Sequence, residues 1–200
     1  MKKYKLTDET KCFNGRTLHR IEALHSFGYI VKGRKGGWIE KEENLSHEGN
    51  CWVYDNAFVY DNAQILNDAK IFCNSIIFDT ATIFDNVCIF DNTKIHGNAL
   101  IYGNTIIKGN TEICGITEIS GETRIINAKI SSIMDYIVFK NWWSSGRYFT
   151  WTRSNNMWSV GCFYGTGDEL IKKAYADSED KGKHYEEIVE YVNRCVLKNK

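Results

Sequence analysis

The chain has 200 residues, and its 25 Lys or Arg balance 25 Asp or Glu; a zero formal charge argues against a general nucleic-acid binder held by a basic face. Seven cysteines without a C-x-x-C pair, and five histidines without ligand spacing to them, argue against a metal motif and read as reduced thiols of a cytoplasmic protein, with no metal and no cofactor expected. Residues 1–30 are charged throughout and no long apolar run follows, so neither a signal peptide nor a membrane span is expected.

Residues 1–52 read as an N-terminal cap with a first irregular coil. They contain G-R-T-L-H-R-I-E-A-L (Gly15–Leu24) and K-G-R-K-G-G-W-I-E (Lys32–Glu40). Ile39 and Leu45 are six apart and Gly49–Asn50 looks like a corner. A six-residue register therefore starts here and slips by two residues before Val53. Short strands are expected to cover the first coil. Lys32–Gly37 is either a basic anion loop or a plain turn. Residues 1–37 hold nine Lys or Arg against three acids, whereas residues 38–130 hold five beyond Lys41 against thirteen acids. A basic end on an acidic body either steers an anionic ligand or is a soluble tail.

From Val53 to Ile130 the sequence repeats every six residues, thirteen times, with Val or Ile first in every hexad. The run opens V-Y-D-N-A-F, V-Y-D-N-A-Q and later reads I-F-D-N-V-C, I-F-D-N-T-K, I-H-G-N-A-L. A repeat of this kind decides the architecture. In extended chain, positions one and five point to one side and two and six to the other. The first position fills a core, and the small fifth residue suits a tight corner. Positions three and four, mostly D-N or G-N, are turn chemistry. Short strands joined by regular corners make a β-solenoid. Stacking every eighteen residues is expected: Asn56, Asn74, Asn92 and Asn110 fall in one column, as do Val53, Ile71, Ile89, Ile107 and Ile125. At about 4.8 Å per coil, a little over four coils make a prism ~20 Å tall. Position two carries aromatic residues, among them Tyr54, Tyr60, Phe72, Phe78, Phe84, Phe90 and Tyr102. They form either outward ring ladders or an oligomer interface or ligand wall.

Residues 131–200 change composition. Tyr136–Phe139, Tyr148–Thr152 and Trp158–Phe163 are aromatic and β-branched, which predicts a three-stranded antiparallel meander. Thr166-Gly-Asp-Glu169 is a capping box opening a helix. Tyr185, Ile188, Val189, Val192 and Val196 share one face of a second helix. The module is thus β-β-β-α-α, expected to pack on the last coil or on a neighbouring protomer.

The hexads resemble the hexapeptide-repeat family of left-handed parallel β-helices, in which three hexads make a triangular coil; Ile83–Val87 (I-F-D-N-V) is close to that family's I-G-D-N-V form. This resemblance covers the middle two-fifths of the chain. It implies the fold strongly and the function weakly, since the family includes acyltransferases, carbonic-anhydrase-like proteins and non-enzymes. Gly15–Ile21, Gly36–Leu45 and Ser145–Gly165 also resemble segments of hexapeptide-repeat proteins of phages and prophages, which implies such an origin and no established enzyme activity. Trimers with clefts between neighbouring prisms are implied by the same resemblance.

The densest cluster of ligand-type residues is Trp142, Trp143, Ser144, Ser145, Gly146 and Arg147, followed by Trp151 and Arg153. A Ser-Ser-Gly turn and a forked cation suit a phosphate, and tryptophans suit a base. The same tryptophans equally suit the core of a small module. The expected function is a non-catalytic homo-oligomer that sequesters a small phosphorylated nucleotide, possible host immune signals included, with Arg16, Arg20 or Arg34 of a cap helping to bind it. A structural or protein-interaction module (a virion accessory piece or an inhibitor of a host protein) is the first alternative. A hexapeptide-repeat acyltransferase is the second. It needs a general-base histidine, usually on a projecting loop. His96 is on the coil surface, but no loop interrupts the hexads, and His19, His25 and His47 lie in the cap.

Overall fold

The computed structural model describes residues 1–142 and 146–197. The chain divides into two units, Met1–Asp135 and Tyr136–Lys200. No helix among the described residues is long and apolar enough to cross a membrane.

The first unit is a parallel β-solenoid with three hexads per coil. Each hexad adds a short strand to one of three sheets. Val53, Ile71, Ile89, Ile107 and Ile125 pair in register along one sheet. Val59, Ile77, Ile95 and Ile113 run along the second, and Ile65, Ile83, Ile101 and Ile119 along the third. All of these side chains are buried. So are the small residues at position five. The inward threonines Thr93, Thr105, Thr111, Thr117 and Thr123 each donate their hydroxyl to the carbonyl three residues earlier, at 2.5–2.9 Å. A polar atom enters the core without being left unpaired.

The register slips at both ends of the repeat, before Val53 as expected and again at Ile130. Ile39 pairs with Val59, and Leu45 bridges Ile65, a spacing two residues longer than a standard coil. At the other end Ile113 pairs with Ile130, one residue short, and Ala128 takes the buried small position that Lys129 could not fill.

Position three of all thirteen hexads is left-handed, with φ between +51° and +78°. Gly holds it in Gly97 to Gly121, and Asp or Asn elsewhere, which that region tolerates best after Gly. Cys73, at φ +61°, is the exception. Cys73→Asn is expected to stabilise the protein by about 1 kcal/mol, because it relieves left-handed strain at one residue. A urea midpoint that stays put or falls would contradict this. Position four builds the predicted column: Asn74 donates to Asn92 at 3.2 Å, and Asn92 to Asn110 at 3.1 Å.

The cap is a hairpin of longer strands than expected, Tyr4–Phe13 and Arg16–Ala23. Its turn is Asn14-Gly15, both at positive φ, the usual two-residue hairpin chemistry. The second strand pairs antiparallel with Lys35–Ile39, which runs parallel to Phe58–Val59. The cap therefore continues one solenoid sheet. The Gly-Gly end of the Lys32–Gly37 segment belongs to that buried strand. A Cβ on Gly36 would lie 2.6 Å from the Val53 carbonyl oxygen, and one on Gly37 would lie 2.6 Å from Val53 Cγ1. Close packing against the coil, not a flexible anion loop, explains this pair of glycines.

Among its described residues the second unit has four antiparallel strands, not three: Tyr136–Lys140, Tyr148–Thr152, Met157–Val160 and Phe163–Gly165. The expected strand Trp158–Phe163 is broken by Gly161, whose φ of +58° turns the chain into a further hairpin. Helix α1 (Gly167–Asp177) starts at the predicted box, with reciprocal bonds between Thr166 and Glu169. Helix α2 (Glu179–Leu197) buries Tyr185, Val189 and Val192 against Phe149, Trp151, Trp158 and Val160.

Candidate functional site

The solenoid places position-two side chains in outward columns, one coil apart. Tyr54, Phe72 and Phe90 stack at 4.3 and 4.7 Å between ring centroids. Tyr60, Phe78 and His96 stack at 5.2 and 4.7 Å, and Phe84 stacks on Tyr102 at 5.0 Å. The rings are ladders in which each covers part of its neighbour. Tyr60 is buried within its own chain, where Phe13 packs on Phe58 and meets the Tyr60 ring edge-on. The other six, Tyr54, Phe72, Phe78, Phe84, Phe90 and Tyr102, are half-buried.

One column ends on a titratable group. His96 lies flat on the Phe78 ring, with the planes 8° apart. Its Nε2 is 3.3 Å from Glu112 Oε1; a carboxylate only accepts, so this contact puts the ring proton on Nε2. Its Nδ1 is 3.6 Å from Asp79 Oδ2, too long for a hydrogen bond. Asp79 Oδ2 is itself engaged by the Gly97 N–H at 2.9 Å. Glu112 is fixed from a second side by Lys129 Nζ at 3.2 Å. The hydrogen bonds from His96 and Lys129 hold the Glu112 carboxyl below its ordinary value. The imidazole is thus oriented through Nε2 by one carboxylate and faced across Nδ1 by another. Such a group can take a proton from an N–H or O–H nucleophile, and Asp79 stabilises the cation that forms.

The cap histidines are engaged differently. His47 Nδ1 accepts the Lys3 backbone N–H at 3.2 Å while its ring packs on Tyr4. His19 Nδ1 is 3.2 Å from the Thr7 carbonyl oxygen, and His25 meets Phe27 edge-on.

The expected nucleotide cluster is distributed rather than convergent. Trp143, Ser144 and Ser145 lie outside the described residues. Trp142 is 81% exposed, whereas Trp151 is in the core with its indole N–H donating to Asn156 Oδ1 at 2.9 Å. Trp151 therefore offers no face for a base to stack on. Gly146 and Arg147 are exposed. Arg147 and Arg153 flank opposite ends of the strand Tyr148–Thr152, about 20 Å apart at the rise of an extended chain. In the first unit, Arg16 is ion-paired with Glu40 and Asp61. Arg20 donates to the Asp55 carbonyl at 3.0 Å and covers the Trp38 ring. Arg34 is exposed before the strand Lys35–Ile39.

No family model matches the chain. Over 63 residues the chain is 38% identical to the uncharacterized acetyltransferase YdcK of Escherichia coli (strain K12). The match takes in 28% of this chain and 19% of the relative, so the chain spans about a fifth of the relative's length. With the solenoid, this likeness fits a hexapeptide-repeat β-helix. It also corrects the expectation of a non-catalytic protein: the relative carries an enzyme's name, and the acyltransferase alternative is the one it favours.

Proposed function

We propose that the chain is a solenoid acyltransferase in which His96 is the general base. The observation that carries this reading is the imidazole on a solenoid rung, held through Nε2 by Glu112 with Nδ1 turned to Asp79 at 3.6 Å. An amine or hydroxyl acceptor hydrogen-bonded to Nδ1 loses its proton there as it attacks the carbonyl of an acyl thioester. The donor thiol leaves, and the imidazolium returns the proton to it. The likeness to a protein named as an acetyltransferase supports an acetyl group as the one transferred. In the homo-oligomer expected from the ring columns, this edge would face a neighbouring prism.

The test is thiol release from acetyl-coenzyme A with a panel of amines and alcohols. His96→Gln is expected to lower turnover by about 10²–10⁴-fold, the usual worth of a positioned base, with an unchanged far-UV spectrum. Wild-type turnover no faster than the uncatalysed reaction for every acceptor, or a variant as fast as wild type, would sink the proposal. The capture reading keeps one observation in its favour, the cations of the C-terminal unit; ligand binding there and catalysis on the prism are compatible.

A further inference from the structure

The C-terminal unit carries a charged cleft that acyl transfer at His96 does not use. Arg147, Lys173, Asp177 and Lys181 line it, over a floor that includes Phe163 and Tyr185. Three elements bring them together. Asn141 N–H donates to the Arg147 carbonyl at 2.8 Å. Gly161 faces the Arg147 stem, and a Cβ there would lie 3.3 Å from Arg147 Cδ. Lys173 and Asp177 are one turn apart on α1, and Lys181 follows on the first turns of α2, with its Nζ 2.7 Å from Asp177 Oδ2. Lys181 first, then Lys173 and Arg147, hold the Asp177 carboxyl below its ordinary value.

A carboxylate already seated among three cations shows which chemistry the cleft accepts: a compact oxyanion. The charged side chains that line it are three basic and one acidic, the chemistry that suits a phosphoryl group. The cleft is about 30 Å³, room for a few oxygens and too little to enclose a base. Arg147 supplies the forked donor that phosphoryl oxygens favour, and the lysines supply point charges. We propose that this cleft binds a phosphoryl group, either as free phosphate or as the phosphorylated end of a small molecule whose remainder stays outside.

Thermal unfolding of the full chain in phosphate, against chloride at equal ionic strength, tests this. Phosphate is expected to raise Tm. Arg147→Ala and Lys173→Ala should abolish the rise while keeping the wild-type far-UV spectrum. Asp177→Asn removes the competing carboxylate and should tighten phosphate binding about fivefold, the effect of one charge at contact distance in water. A nucleoside monophosphate that binds more tightly than phosphate, with the bare nucleoside inert, would assign the site to a phosphorylated small molecule; equal binding would assign it to the free anion. The proposal is overturned by a wild-type Tm that phosphate leaves unmoved, by a rise that survives Arg147→Ala, or by an Asp177→Asn variant that binds no better. None of these outcomes bears on His96.

Discussion

Lys3→Met should lower the unfolding free energy by about 3 kcal/mol, a large change for one side chain. Lys3 is 2% exposed. Its ammonium donates to the carbonyls of Glu48 and Gly49 at 3.3 Å and of Cys51 at 3.1 Å, and it contacts Cys51 Sγ at 3.3 Å. The ring of Phe27 covers it, with the centroid 5.1 Å away. The ammonium ties together the irregular segment that carries the two-residue insertion of the first coil. Burial lowers the Lys3 pKa, while the Cys51 thiol opposes the shift, so the charge is costly and its acceptors offset that cost. Methionine keeps the length and the apolar stem but leaves buried carbonyls without their donor. Each such group costs about 1–3 kcal/mol, partly offset by the relief of a buried charge. Exposed Lys5, paired with Glu22 at 3.4 Å, is the control: Lys5→Met should change stability by less than about 0.5 kcal/mol. Urea unfolding measures both. Equal midpoints for the two variants would show that the Lys3 contacts contribute little.

The solenoid was legible because one period governs many residues. A β-branched residue every sixth position and an Asn column every eighteenth leave one way to stack the chain, and the pairing follows it. The capping box at Thr166 and the apolar face of α2 were legible for the same local reasons. The break at Gly161 is harder to read: a Gly inside a strand pattern is a turn signal, but the aromatic run W-S-V-G-C-F around it has the composition of one strand. The His96 site was partly legible. The eighteen-residue period puts Asp79 beside Gly97, and Lys94 beside Glu112, which brackets His96 with both carboxylates. The roles of Lys3 and of the Arg147 cleft were not legible, because each depends on side chains brought together by hairpins and helix ends with no common period. Trp151 and Arg153 show the converse error: adjacency in sequence suggested a cluster, but strand alternation and strand length send these residues to the core and to the far end of the strand.

Ile89→Ala is expected to cost about 3–4 kcal/mol, and Ile119→Ala about 2 kcal/mol, although both remove the same atoms from fully buried positions. The difference is in what can relax. Ile89 is the central rung of its sheet, paired in register with Ile71 on one side and Ile107 on the other. The backbone there is pinned by Phe72 N–H to the Ile89 carbonyl at 2.8 Å and by Phe90 N–H to the Ile107 carbonyl at 2.9 Å. Rungs held on both sides cannot move inward, so the cavity stays open and its walls lose their dispersion contacts. Ile119 ends its sheet and, among the described residues, pairs with Ile101 alone, so its rung can settle toward the space. Unfolding free energies from urea melts separate the two cases. Hydrogen exchange of the amides flanking Ile89 and Ile95 then links packing to the site, because each coil contacts only its neighbours and a loosened rung lowers protection locally before it does so globally. Loss of protection that reaches Ile95 would show that the rung carrying His96 owes its rigidity to the coil core. Equal costs for Ile89→Ala and Ile119→Ala would mean instead that the prism yields as readily in its middle as at its end.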